Sequence, residues 1–208
     1  MAGIGVKLNR IFEKKSVFSN LVGFTYSTIA TVAPMVLVIA NIILMGWILG
    51  LNKAAYLTRE VFFCTVLYIF IFSLLTASPF NAVLSKYMQD AIFEERYQDI
   101  LPCYYLGLMM NIVLSCLVGI PFCLWEHFVG EVSVFYVFTG FCGYISLVLV
   151  FYSMIYLSIC KDYQKISFYF LLGMIVTFIL SLILRFLFRW VFTLSILFSL
   201  MLGFFLIA

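Results

Sequence analysis

Residues 18–50 read FSNLVGFTYSTIATVAPMVLVIANIILMGWILG, and no Asp, Glu, Lys or Arg interrupts them. A helix needs about 20 apolar residues to cross a hydrocarbon core. This run exceeds that length, so its natural solvent is lipid. The whole chain agrees: across 208 residues, 66% are hydrophobic, 10% are charged and the mean hydropathy is +1.20. Soluble proteins carry roughly 25% charge.

Polar interruptions divide the sequence into six apolar spans, roughly Phe18 to Gly50, Val61 to Ser85, Cys103 to Trp125, Val132 to Ile159, Ile166 to Leu184 and Trp190 to Ala208. Each is expected to be helical, because hydrocarbon offers no partner to an unpaired peptide group. A transmembrane barrel would instead show alternating ten-residue strands. The fold class is therefore all-α, a polytopic membrane helix bundle of about six transmembrane helices.

Residues 1–17 hold Lys7, Arg10, Lys14 and Lys15, with Ile4, Leu8, Ile11 and Phe12 on one helical face. That pattern suits a basic amphipathic segment on the cytoplasmic leaflet. A cleavable signal peptide does not fit, since the apolar run after it is too long and lacks a small-residue cleavage site. Placing the N-terminus in the cytoplasm puts Lys7, Arg10, Lys14, Lys15, Lys86, Arg96, Lys161 and Lys165 inside, against Lys53, Arg59, Arg185 and Arg189 outside. This asymmetry favours that orientation. The net charge of +3 reflects topology, and no nucleic-acid partner is expected.

Polar residues within the spans mark faces that avoid lipid. Asn20, Gly23, Ser27, Thr31, Pro34 and Asn41 share one face of the first span. The third has Asn111, Ser115 and Gly119 at four-residue steps, and the fifth has Gly173, Thr177, Ser181 and Arg185. Either a packing seam or the lining of a wet cavity accounts for such stripes. The cavity hypothesis assigns Asn20, Ser27, Thr31, Asn41, Asn111, Ser115, Thr177, Ser181 and Arg185 to a polar substrate; Arg185 alternatively snorkels to headgroups. Pro34 and Pro79 remove helical hydrogen bonds and are candidate hinges. Tyr136, Tyr144, Tyr152 and Tyr156 in the fourth span can stack on a sugar while bonding its rim, or serve as interfacial anchors.

The stretch SPFNAVLSKYMQDAIFEERYQDILP, residues 78–102, holds four of the nine acids. Helical spacing carries through Val83, Leu84, Tyr87, Met88, Ala91 and Ile92, so the second helix is expected to leave the membrane as an amphipathic arm over residues 86–101. Lys86 and Asp90 have the spacing of an i,i+4 pair. Asp90, Glu94, Glu95, Arg96 and Asp99 are candidates for docking a cytoplasmic partner, the alternative being a solvated hairpin.

Catalysis finds no support. His127 is the only histidine, and neither a nucleophile elbow nor a zinc motif accompanies it. Six cysteines lack paired short spacings, so packing is their expected role and neither a metal nor another cofactor is expected. The final span ends in apolar residues without a basic anchor, which reads as a truncated product or a fragment of a longer chain.

The stretches MAGIGVKLNRIFEKKS, SPFNAVLSKYMQDAIFEERYQDILPCYY, GIPFCLWEHFVGEV and FTGFCGYISLVLVFYSMIYLSICKDYQKIS resemble the Pel exopolysaccharide transporter (PelG) family over nearly all of the chain. That resemblance implies the polysaccharide branch of the multidrug, oligosaccharidyl-lipid and polysaccharide (MOP) flippase superfamily, whose fold is two pseudo-symmetric six-helix lobes around a central cavity. Residues 18–208 would supply the first lobe, and a second would follow residue 208. The resemblance further implies a multi-pass protein of the inner membrane that exports a cationic amino-sugar polymer for the biofilm matrix. A cytoplasmic glycosyltransferase and small membrane proteins of the Pel system would be its partners. Competing readings are a lipid-linked oligosaccharide flippase or drug exporter lobe, and a membrane scaffold that recruits polysaccharide synthesis machinery. Drug exporters favour a buried acid, which the spans lack.

Overall fold

The computed structural model describes residues 36–50, 55–159, 163–187 and 191–208. Among the described residues six helices follow in chain order: α1 (Val36–Ile48), α2 (Tyr56–Phe93), α3 (Ile100–Phe128), α4 (Val134–Ile159), α5 (Tyr163–Phe186) and α6 (Phe192–Ile207), with a short 3-10 turn at Tyr97–Asp99 before α3. No strand occurs among the described residues. The segments Tyr56–Phe93, Tyr97–Phe128, Val134–Leu157 and Phe168–Phe186 are long and apolar enough to cross a membrane, while Val36–Ile48 and Thr193–Ile207 are shorter apolar helices. The chain is a multi-pass membrane helix bundle. Most of the first expected span, including Asn20, Ser27, Thr31 and Pro34, lies outside the described residues.

The bundle is built around α4, which packs against α2, α3 and α6, while α5 packs chiefly on α6. Sequence explains the choice of centre. Tyr144, Leu147, Val148, Val150 and Tyr152 of α4 are all buried, and its small residues Gly140 and Gly143 lie against Thr65, Ile69 and Met201 of its neighbours. By contrast, α2, α3 and α5 turn large apolar side chains outward, among them Leu75 at 63% exposure, Met109 at 69% and Leu117 at 66%. Continuous apolar exposure of this kind is what a lipid-facing wall presents.

Small residues set the closest crossing. At α5–α6, the Gly173 carbonyl lies 3.2 Å from where a Cβ on Gly203 would sit, and the Thr177 hydroxyl would overlap that carbon. Thr177 returns its own hydrogen to the Gly173 carbonyl at 2.8 Å. Without a hydrophobic drive between helices in lipid, such close backbone approach and internally satisfied hydroxyls are how membrane helices associate.

At 38 residues, α2 spans about 57 Å at a rise of about 1.5 Å per residue, nearly twice a hydrocarbon core of about 30 Å. It runs unbroken through Pro79, which lies on its exposed side. Beyond the apolar span, Met88 and Ala91 are buried while Lys86, Gln89 and Asp90 are exposed. The helix ends at a turn in which Glu95 takes a left-handed φ of 58°.

Candidate functional site

A groove of about 320 Å³ opens between α2, α3 and α4. Its walls are largely aromatic: Tyr68 and Phe72 from α2, Phe122 from α3, and Tyr136, Phe141 and Tyr144 from α4. The local sequence makes this surface. Tyr68 and Phe72 stand four residues apart, one turn of one face, and both meet the Phe122 ring, at centroid distances of 5.7 and 5.0 Å. Gly119 and Gly140 face the groove without side chains, leaving room between the rings.

Polar groups enter this apolar trench at defined places. Glu60 in the first turns of α2 and Glu126 near the end of α3 both line it. Both belong to the same end of the bundle. Nearby, the Tyr136 hydroxyl donates to Thr65 Oγ1 at 3.3 Å. At the deep end, the Tyr144 and Thr76 hydroxyls lie 2.7 Å apart, both buried. Arg59 is 4.0 Å from Glu60 and stacks over the Tyr56 ring at 5.6 Å. Such a trench can hold a flat, partly apolar ring between aromatic walls while a carboxylate at the mouth holds a positive group.

The polar stripes lie elsewhere. Asn41 donates Nδ2 to the Met174 carbonyl at 3.0 Å and so joins α1 to α5. Asn111 donates to the Gly107 carbonyl at 2.8 Å, and Ser115 donates to the Asn111 carbonyl at 2.7 Å; both side chains are fully buried on α3. Thr177 sits in the α5–α6 crossing, and Ser181, also buried, donates to the Phe178 carbonyl at 2.8 Å. Arg185 is half-buried in the last turn of α5. None of these described residues lines the groove. Asn81, two residues beyond Pro79, is buried with its amide oxygen unpartnered.

At the opposite end of α2, Arg96 closes an ionic turn. Its Nε donates to Glu94 Oε2 at 2.7 Å, and a terminal nitrogen lies 3.2 Å from Asp99 Oδ2. The hydrogen bond to Glu94, together with its negative charge, raises the Arg96 pKa above its ordinary value. Lys86 and Asp90 do not pair; the ion pairs among the described residues are Arg59–Glu60, Arg96–Glu94 and Arg96–Asp99. Asp90 and Glu95 are exposed.

His127 belongs to the last turn of α3, and its Nδ1 lies 3.0 Å from the Val132 carbonyl. Sequence reasoning missed the groove because its walls come from three helices. Glu60 and Glu126 lie on different helices, and no local spacing relates them. The signal that pointed toward it was the tyrosine face of the fourth span, Tyr136 and Tyr144, eight residues apart on one side of α4.

A family model described as PelG, "Putative exopolysaccharide Exporter (EPS-E)", matches residues 1–208. No curated protein and no solved structure matches.

Proposed function

The chain belongs to the PelG family of exopolysaccharide exporters, and on that premise we propose that it forms the N-terminal lobe of an inner-membrane transporter for an amino-sugar polymer. The observation that carries the substrate class is the groove, where ring-faced walls at Tyr68, Phe72, Tyr136 and Tyr144 run up to carboxylates at Glu60 and Glu126. A pyranose has apolar faces that stack on aromatic rings and a rim that seeks hydroxyls. An amino sugar adds a positive charge, which the two acids attract. A neutral glucan would offer no charge to either carboxylate, leaving Glu60 with Arg59 alone, 4.0 Å away.

In this reading the groove guides sugar units on the outer side as two lobes rock against each other, the movement general to transporters of repeated architecture. The exposed carboxylates of Asp90 and Glu95 on the α2–α3 turn face the cytoplasm and receive the glycosyltransferase that makes the polymer for the biofilm matrix.

Binding of defined oligomers tests the substrate assignment. Purified protein in nanodiscs is titrated with a partly de-N-acetylated galactosamine oligomer and with its fully acetylated, uncharged counterpart. Glu60→Gln and Glu126→Gln are expected to weaken the charged oligomer by about 2–10-fold each and to leave the neutral one unchanged. Equal affinity of the intact protein for both oligomers overturns the assignment.

A further inference from the structure

Among the described residues three glycines line the groove, Gly119, Gly130 and Gly140, and packing accounts for two of them. A Cβ on Gly119 would come within 2.6 Å of Phe141 Cε2, and one on Gly130 within 2.6 Å of the Glu126 carbonyl oxygen. Neither place has room for a methyl. At Gly140 the same carbon would meet one described atom within 4 Å, Thr65 Cγ2 at 3.6 Å, an ordinary van der Waals contact. Nor does the backbone ask for glycine here, since Gly140 sits inside α4 and does not have a left-handed φ. Glycine in a helix interior loses stability relative to alanine. The fold would therefore accept alanine at 140, and the gap that glycine leaves belongs to the groove.

That gap has a defined chemistry. Gly140 and Tyr136 stand one turn apart on the face of α4 that lines the groove, and both meet Thr65 of α2. Thr65 gives its hydrogen to the Val61 carbonyl at 2.7 Å. Its oxygen is thus the acceptor in the bond from the Tyr136 hydroxyl, at 3.3 Å. With that proton committed, the Tyr136 oxygen offers lone pairs to whatever binds beside it. The neighbouring gap has the size of a methyl group and ends on the Thr65 methyl.

A ligand group that fits donates a hydrogen bond and carries a methyl-sized apolar end next to it. A hydroxyl donates but leaves the gap empty. An O-acetyl ester fills the gap but has no hydrogen to give. An acetamido group does both, because in a planar trans amide the N–H and the acyl methyl lie on the same side: the N–H reaches Tyr136 and the methyl takes the place that an alanine side chain would occupy. The acid at the mouth acts on a different part of the ligand, since Glu60 lies five residues before Thr65 on α2, about 7.5 Å along the axis.

We propose that Gly140 is a specificity-determining residue of the groove and that, with Tyr136 and Thr65, it selects sugar units carrying an acetamido group. The inference rests on the reading of the groove as a sugar site. It adds a selectivity that the carboxylates do not supply, because an acetamido group is uncharged.

Two uncharged oligomers of equal length and linkage serve as probes, the fully acetylated galactosamine oligomer and a galactose oligomer, titrated into purified protein in nanodiscs. The readout is the ratio of their affinities. The intact protein is expected to prefer the acetamido oligomer by about tenfold. Gly140→Ala removes most of that preference while Tm holds or rises, as befits a site where a methyl fits and a helical glycine is lost. Tyr136→Phe weakens the acetamido oligomer by about 2–10-fold. Gly119→Ala gives the contrast, a packing glycine whose replacement lowers Tm. A preference that Gly140→Ala leaves intact overturns the assignment. A Gly140→Ala protein that fails to fold, or melts well below the intact one, overturns it too, since Gly140 is then a packing glycine like Gly119. An intact protein that binds neither uncharged oligomer, or binds both equally, also overturns it. The charge assignment fails separately: equal affinity for the acetylated oligomer and its partly de-N-acetylated form refutes the role of the carboxylates and leaves the Gly140 preference standing.

Discussion

The Tyr144 hydroxyl on α4 lies 2.7 Å from the Thr76 hydroxyl on α2, with both side chains buried. This bond closes the deep end of the groove and, together with the Tyr136–Thr65 bond, fixes the relative height of two parallel helices.

Removing the bond measures its strength. Tyr144→Phe and Thr76→Val are each expected to lower stability by about 0.6–1.5 kcal/mol, the range for interhelical hydrogen bonds in lipid. The double variant loses less than the sum of the two. Equilibrium unfolding in mixed micelles reads the coupling directly, and strict additivity would show that the hydroxyls do not interact.

The α5–α6 crossing predicts intolerance of a single methyl. Gly203→Ala drives its new carbon into the Thr177 hydroxyl and toward the Gly173 carbonyl, at a cost of about 1–3 kcal/mol. Adding Thr177→Ala withdraws the nearest obstacle and recovers part of the loss. Thermal unfolding of the three variants in one detergent tests the order.

Tyr68 is the exposed ring of the groove and meets Phe122 at an angle of 71°. Tyr68→Ala is expected to weaken oligosaccharide binding by about 2–10-fold, the worth of an aromatic contact. Tyr68→Phe keeps the ring and retains most of the affinity. Titration of both variants with the charged oligomer separates stacking from hydroxyl chemistry, and equal losses would assign the effect to the hydroxyl.

Backbone geometry at the α2–α3 turn gives a prediction of opposite sign. Glu95 holds a φ of 58°, a region where an L side chain is crowded and glycine is not. Glu95→Gly is expected to be neutral or stabilising by up to about 1 kcal/mol, whereas Glu95→Val loses about 1–3 kcal/mol. Chemical denaturation of the two variants decides it.

On the same turn, Glu94 and Asp99 are engaged by Arg96, which leaves Asp90 and Glu95 for a partner. Asp90→Asn with Glu95→Gln is expected to reduce co-purification of the proposed glycosyltransferase partner more than Glu94→Gln with Asp99→Asn does. Undiminished capture by all four substitutions together would exclude this turn as the docking site.

The spans were legible because one physical rule governs them. Runs bounded by charge or by polar turns became α2 through α6, with ends displaced by a few residues where the helix continues past the apolar stretch, as α2 does from Ser85 to Phe93. The continuation itself could be read from the spacing of Met88 and Ala91. Partnership was harder to read. Four-residue steps at Asn111 and Ser115, or at Gly173 and Thr177, identify a face turned from lipid, but the same steps serve a wet wall and a dry seam. Only the approach of Gly203 to Thr177 distinguishes them in α5. The groove depends on Tyr144 meeting Thr76 and on Phe122 meeting Phe72, pairings between residues far apart in the chain that no local pattern encodes.

Because α4 touches α2, α3 and α6 at once, it is the axle of the described bundle. Any tilt of that axle on loading of the proposed groove would be carried through α6 to the Gly173–Gly203 crossing on the far side, and a fluorescent reporter on α5 that shifts with added oligomer is the measurement that checks it.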